Sequence, residues 1–243
     1  MKKIFVKVVP ATVLCAALLM PNTSAFASAP AKHPSAAQIL GMTIKSGNKM
    51  NSLHYQNYDH LGQITIRQDG YVNRYQGYIT SEYQRGKTKG FSEERFLKGK
   101  LFLKATSYTL TVFYGFKKQG AAKYGNKWIF IPKSDVTYIN LTSSLTLSGQ
   151  IQQIKIPGNL TYLKNPRLNG KKVMGILGHP TSVGGIKETE TLYVSPTGSH
   201  LPLKATLTQG KTGAASLTFL KWNIAFKVSV PKKSTPIAKT GLE

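Results

Sequence analysis

Apolar residues in this chain recur with two different periods. Early on, Ile39, Leu40, Met42 and Ile44 give a rough helical face, and Ser35 with Gln38 three residues later has the form of a capping box. Gly47-Asn48 ends that helix near Met50. After it the period drops to two. In residues 107–116, SYTLTVFYGF, one face would carry Tyr108, Leu110, Val112, Tyr114 and Phe116. In residues 221–230, Trp222, Ile224, Phe226, Val228 and Val230 alternate with Lys221, Asn223, Ala225, Lys227 and Ser229. Both patterns predict half-buried strands.

Weaker strand signals lie at Ile64 and Ile66, in the tyrosine-rich stretch 71–83, and at 96–103, 128–131, 192–194, 201–207 and 215–219. Turns are expected at Asp69-Gly70, Asn169-Gly170 and Pro196-Thr197-Gly198. Roughly nine to eleven short strands, one firm helix and a second helical segment within 139–155 predict a mainly β (α+β) chain with a large antiparallel sheet in meander order. So few helices cannot cover so many apolar strand faces. Either the sheet folds over itself as a sandwich, the commoner solution, or it curves into an unclosed barrel and leaves an apolar hollow.

The first residues read as a leader. Lys2, Lys3 and Lys7 flank an apolar run at 8–20, shorter than the roughly 20 residues that span a bilayer and typical of a secretory signal. Ala25-Phe26-Ala27 offers a peptidase site, and cleavage after Ala27 would leave 216 of the 243 residues. Cys15, the only cysteine, follows Leu14 inside the apolar run, so lipid attachment there is not expected. The mature chain would then lack disulfides, thiolate metal sites and a cysteine nucleophile. Behind the leader we expect a linker (28–34), one domain (35–231) and an unstructured tail (232–243). The protein is expected in the cell envelope: periplasmic, at the cell surface or secreted.

Charge adds a class of partner. Thirty-three Lys and Arg face nine Asp and Glu, and losing the leader lysines lowers the formal charge only from +24 to +21. Such a field attracts anionic membranes or wall polymers; nucleic acid is not expected outside the cell. The basic residues are scattered along the chain, as a solvated surface would have them.

Several strand motifs carry a resemblance. Tyr124-Gly125-Asn126-Lys127-Trp128-Ile129-Phe130-Ile131-Pro132, the stretch TLYVSPTGSHLPLKATL at 191–207 and LTFLKWNIAFKVSVP at 217–231, taken with the N-terminal helix and Gly62-Gln63-Ile64-Thr65-Ile66, resemble the LolA-like lipoprotein-carrier fold, of the LppX/LprG type of exported lipid-binding proteins. The resemblance spans most of 35–231. It implies an unclosed antiparallel barrel covered by helices, holding a lipid, glycolipid or lipoprotein acyl chain in an apolar cavity, with no catalysis and no cofactor. The lipidated cysteine usual at the mature N-terminus of this type is missing here. No compact motif marks ligand contacts, so the cavity candidates are apolar strand positions: Leu110, Val112, Phe116, Trp128, Leu192, Val194, Leu203, Phe219, Trp222, Ile224 and Phe226. Ordinary core packing is the competing role for each. A monomer is expected. A solid-cored β protein that binds anionic polymers by charge alone is the alternative function.

Catalytic patterns are weaker. Ser46-Gly47-Asn48-Lys49, Tyr124-Gly125-Asn126 and Lys211-Thr212-Gly213 resemble the elements of penicillin-interacting serine hydrolases in the right order. However, Lys239-Thr240-Gly241 repeats the last of them in the tail, and Ser46 falls where the helix ends rather than where it begins. Glu188 and Glu190 share a strand face and are expected on an edge strand, paired with lysines. His54, Asp59 and His60 have no standard metal spacing, Gly184-Gly185 lacks the rest of a phosphate loop, and His179 and His200 lack a carboxylate nearby in sequence.

Overall fold

Ser35 caps the first helix as its spacing predicts. Its hydroxyl accepts the Gln38 N–H at 3.2 Å, the Gln38 side chain accepts the Ser35 N–H at 2.7 Å, and α1 (Ala36–Lys49) follows. The computed structural model describes residues 34–180, 187–210 and 213–237. The leader with Cys15 and the cleavage after Ala27, Gly184-Gly185, Lys211-Thr212 and residues 238–243 lie outside the described residues.

A meander of five strands comes next: β1 (Ser52–Leu61), β2 (Ile64–Asn73), β3 (Gln76–Arg85), β4 (Thr88–Leu97) and β5 (Lys100–Ala105). The chain continues through α2 (Ser107–Val112), α3 (Lys118–Tyr124), β6 (Ile129–Ile131), α4 (Val136–Ser144) and α5 (Leu147–Gln152). The last part holds β7 (Leu160–Tyr162), β8 (Arg167–Leu168), β9 (Lys171–Lys172), β10 (Met174–Gly178), β11 (Glu188–Val194), β12 (Pro202–Gln209), β13 (Gly213–Trp222) and β14 (Thr235–Pro236). Twelve of the described strands make one sheet in the order β14-β6-β5-β4-β3-β2-β1-β13-β12-β11-β10-β7, while β8 and β9 pair apart from it. Every pairing in the sheet is antiparallel except β14 on β6. The sheet is curved and not closed into a barrel, so the unclosed alternative holds and the sandwich does not.

Alternation gives the sheet an inner face, which the helices cover, and an outer one. Leu53, Tyr55, Asn57 and Asp59 of β1 point inward, and register aligns Tyr55 with Gly70, Ile79, Glu94, Leu103 and Ile129 across five further strands. The helices come close because glycines make room. A Cβ on Gly77 would lie 2.1 Å from the Leu145 carbonyl oxygen, and one on Gly47 would lie 2.5 Å from Ile151 Cδ1. Leu53, Val72, Ile79, Leu101, Leu103, Ile129 and Ile131 are thereby buried against Leu110, Leu145, Leu147 and Ile151. The second helical segment expected within 139–155 is the α4–α5 pair.

Four expectations are corrected. Residues 107–116 are not a strand: the Thr106 hydroxyl accepts the Thr109 N–H at 3.2 Å and starts α2, and Thr111 Oγ1 bonds back to the Ser107 carbonyl at 3.0 Å. Capping by Thr outweighed the alternation, and a six-residue helix is too short to show a helical period. The strand expected through residue 230 stops at Trp222, where Asn223 takes φ 55°. Residues 224–230 instead cross the outer face as a strap. Ser52 donates to the Ile224 carbonyl at 2.6 Å, Gln76 to the Phe226 carbonyl at 3.2 Å, and Arg95 to the Ser229 carbonyl at 3.1 Å. An extended segment lying on a sheet also turns alternate side chains toward it, so Val228 is buried and Phe226 packs 6.0 Å from the Tyr71 ring.

The expected tail is ordered as far as residue 237, since β14 adds to the sheet edge and Ile237 is 3% exposed. Asp69-Gly70 is no turn but the middle of β2, where Gly70 leaves space for the Tyr55 ring; a Cβ would meet Tyr55 Cζ at 2.4 Å. The turns at Asn169-Gly170 and Pro196-Thr197-Gly198 fall between strands as expected.

Candidate functional site

Helix cover ends partway along the strands. Toward the β1–β2 and β12–β13 turns the inner face carries Leu61, 52% exposed, with Ile64, Ile66, Leu207 and Ala215 half-buried beside it. A cavity of about 260 Å³ lies there, between β1, β11, β12 and β13 and the segment after α5 that holds Gln153, Ile154 and Ile156. Two register rows make its floor. One runs Leu192, Ala205, Leu217, Asn57; the other runs Glu190, Leu207, Ala215, Asp59.

Its lining is apolar in the middle and acidic at the sides. Among the described residues no Lys or Arg lines it, although the chain has thirty-three. Asn57 donates to Asp59 at 3.0 Å and to Gln68 at 3.1 Å. Burial raises the Asp59 pKa, and the Asn57 hydrogen bond offsets part of that rise. Glu190 is raised to about 6, by burial first and the Glu188 charge second. Glu188 accepts from Gln209 at 2.8 Å. The expectation of an edge strand with lysine-paired glutamates is therefore corrected: β11 lies between β10 and β12, and the described partner of Glu188 is Gln209.

A second acidic group sits in the covered half. Glu94, almost fully buried, accepts a hydrogen bond from Tyr114, whose hydroxyl also meets Tyr83 and Ser92. Desolvation lifts its pKa from 4.5 to about 7, the Tyr114 bond opposing the rise.

The sequence-expected cavity residues are dispersed. Leu192 lines the cavity. Leu110, Val194 and Phe219 are buried in the core, and Phe116 is buried just after α2. Leu203 is half-buried next to the β11–β12 bulge, and Trp222 stacks on Phe219 at 5.5 Å. Val112 is 40% exposed at the end of α2. Trp128 lies under the Arg95 guanidinium at 4.6 Å on the outer face, where Phe226 and Ile224 also run in the strap. Asn57, Leu207, Ala215 and Leu217 line the cavity without having been singled out. Their strands were recognisable, but which rows the helices leave bare depends on where distant glycines admit them.

The other constellations separate. Ser46 is half-buried and Lys49 exposed in the last turn of α1, and Gly213 begins β13. His54 pairs with Asp69 at 2.6 Å and stacks on Tyr71 at 4.1 Å, while His60 meets Thr65 at 3.3 Å. Among the described residues no three metal-ligating side chains gather, and no helix is long and apolar enough to cross a membrane.

A curved, open antiparallel sheet with helices over one face is the LolA-like arrangement. No family model and no curated protein matches the chain. Solved structures do. LprF from Mycobacterium bovis superposes with a TM-score of 0.52 at 13% identity, covering 81% of this chain and 96% of that one. Lipoprotein LppX from Mycobacterium tuberculosis gives 0.51 at 16% identity, covering 80% and 98%. The fold implied by the strand motifs is the fold found; at these identities the likeness is one of fold.

Proposed function

We propose that the protein is an exported, non-enzymatic carrier for an amphiphile, a lipid, glycolipid or lipoprotein acyl chain that lies along the open end of the inner sheet face. The observation that carries this reading is the bare end of an otherwise helix-covered face, with Leu61, Ile64 and Ile66 leading to a cavity floored by Leu192, Leu207, Leu217 and Ala215. Each methylene removed from water contributes about 0.8 kcal/mol. At about 260 Å³ the cavity falls below the roughly 300–1,000 Å³ of ligand pockets, so it takes part of a chain and the bare strip takes the rest. Its acidic flanks turn away an anionic headgroup; the amphiphile's polar end is neutral or cationic and faces Asp59 and Glu190.

Native mass spectrometry of the purified mature protein tests the reading. The expected result is co-purified lipid, lost when Ala215→Phe fills the cavity floor. Bare protein in both preparations, with polyanion binding that collapses in salt, would support the charge-only alternative.

A further inference from the structure

The opposite end of the strands carries a feature the carrier reading does not use. The β2–β3 turn exposes Tyr75 at 72% and α4 exposes Ile139 at 68%, the two most exposed large hydrophobic residues among those described. Lys49 at the end of α1, Arg74 in the β2–β3 turn, Lys98 and Lys100 at the β4–β5 turn and Lys133 ahead of α4 are all exposed. Contacts join them into one rim. The Lys98 N–H donates to the Tyr75 carbonyl at 3.3 Å, and Arg74 to the Asn48 carbonyl at 3.4 Å. The Lys133 side chain lies against Gly99, whose carbonyl accepts from the Tyr138 hydroxyl at 3.1 Å, next to Ile139. Among the described residues, none of the five cations has an ion-pair partner. The single carboxylate in these segments, Asp135, is engaged in capping α4, where it accepts the Thr137 N–H at 2.8 Å.

We propose that this rim docks on an anionic lipid bilayer surface, with Tyr75 and Ile139 entering the headgroup layer and the five cations facing its acidic lipids. A soluble polyanion would use the cations alone. Two apolar tips among them fit a surface that is charged outside and apolar beneath, and an interfacial tyrosine is suited to that boundary. Ten-residue strands hold the cavity end roughly 30 Å from the rim, so a docked molecule turns its bare end away from that bilayer. The proposal stands independently of the carrier reading, because an empty protein could dock in the same way.

The test is vesicle co-sedimentation of residues 28–243, which hold every described core residue, from Ala36 to Ile237. Vesicles of phosphatidylglycerol with phosphatidylcholine are compared with phosphatidylcholine alone. Binding is expected only to the acidic vesicles. K98Q/K100Q/K133Q should weaken it about tenfold or more, since each surface cation contributes appreciably near an acidic leaflet. Y75S/I139S should weaken it severalfold at unchanged net charge, and K87Q/K89Q at the cavity end should leave it within about twofold. Circular dichroism melts matching the parent's would show that the variants fold. Equal binding to both vesicle types, no binding at all, equal loss from K87Q/K89Q, or no loss from Y75S/I139S would each overturn the docking face, the last pointing to a polyanion partner.

Discussion

The same strands behave differently in their two halves. Near the β2–β3 and β4–β5 turns, inward residues of β1 to β5 such as Leu53, Val72, Ile79 and Leu101 are wholly buried. A few residues further along the same strands, Ile64 and Ile66 are half-buried and Leu61 is open to solvent. The inner face is more polar at the open end, where it carries Asn57, Asp59 and Gln68. Glycine placement matters as well: Gly70 and Gly77 let the Tyr55 ring and the α4–α5 junction press onto the covered half, and Gly90 on β4 admits α2. Alternation therefore tells which face is inner, while backbone clearance tells how far the cover reaches.

The largest expected effect breaks that clearance. In Gly77→Ala the new Cβ would meet the Leu145 carbonyl oxygen, a backbone atom unable to swing aside as a side chain could. A loss of about 3 kcal/mol or more is expected, read from urea midpoints. Ile79→Ala in the covered half should cost about 2–5 kcal/mol through its cavity, while Leu61→Ala at the open end should stay within about 0.5 kcal/mol. Similar costs for Ile79→Ala and Leu61→Ala would mean the halves are packed alike.

Acidic groups sharpen the contrast next. Glu94 in the covered half titrates near 7 when folded against 4.5 as its ordinary value, so the folded state holds the proton more tightly. Between those values the native protein binds more protons than the unfolded chain, and stability falls as pH rises. Stability should thus be greatest below about pH 4.5 and decline by about 3 kcal/mol up to about pH 7. Denaturant midpoints from pH 4 to 8 would measure this decline, and Glu94→Gln should flatten it. An unchanged slope in that variant would assign the dependence elsewhere.

Glu190 belongs to the open half and bears on the ligand rather than on the fold. A neutral amphiphile bound beside it takes water from it and favours its neutral form, so binding of a fluorescent fatty-alcohol probe should tighten severalfold as pH falls through about 6. Glu190→Gln should bind at the low-pH level throughout. Asp59, raised in the same direction, leaves a smaller residual slope in that variant. Affinity that does not change with pH in the parent would place the probe away from this cavity.

The sequence made the inner architecture readable wherever the signal was local. Ser35 and Gln38 announced α1, and the strands holding Ile64, Ile66 and Leu192 were marked by alternation, whereas weighing strands against helices left sandwich and unclosed sheet both open and only the family resemblance pointed to the second. Failures came where a period of two had another cause. Residues 107–112 alternate yet are capped into a helix by Thr106, and residues 224–230 alternate because they lie across the sheet, not within it. Of the apolar candidates only Leu192 reached the cavity lining, because exposure at a strand position was set by helices arriving from far away in the chain.

The smallest effect repeats the comparison inside one helix. Gly41 and Gly47 both sit in α1, but a Cβ at Gly41 meets nothing within 4 Å, whereas one at Gly47 meets Ile151, itself fully buried. Gly41→Ala should therefore stabilise by about 0.5–1 kcal/mol, the helical preference of alanine over glycine acting alone. Gly47→Ala gains the same preference but forces Ile151 out of its packing, and a net loss of about 1 kcal/mol is expected because Ile151 is fully buried. Thermal melts of the two variants separate these cases directly. If Gly47→Ala stabilised as much as Gly41→Ala, α1 would not press on α5, and the cover over the inner face would be loose enough to admit a chain at the covered end as well.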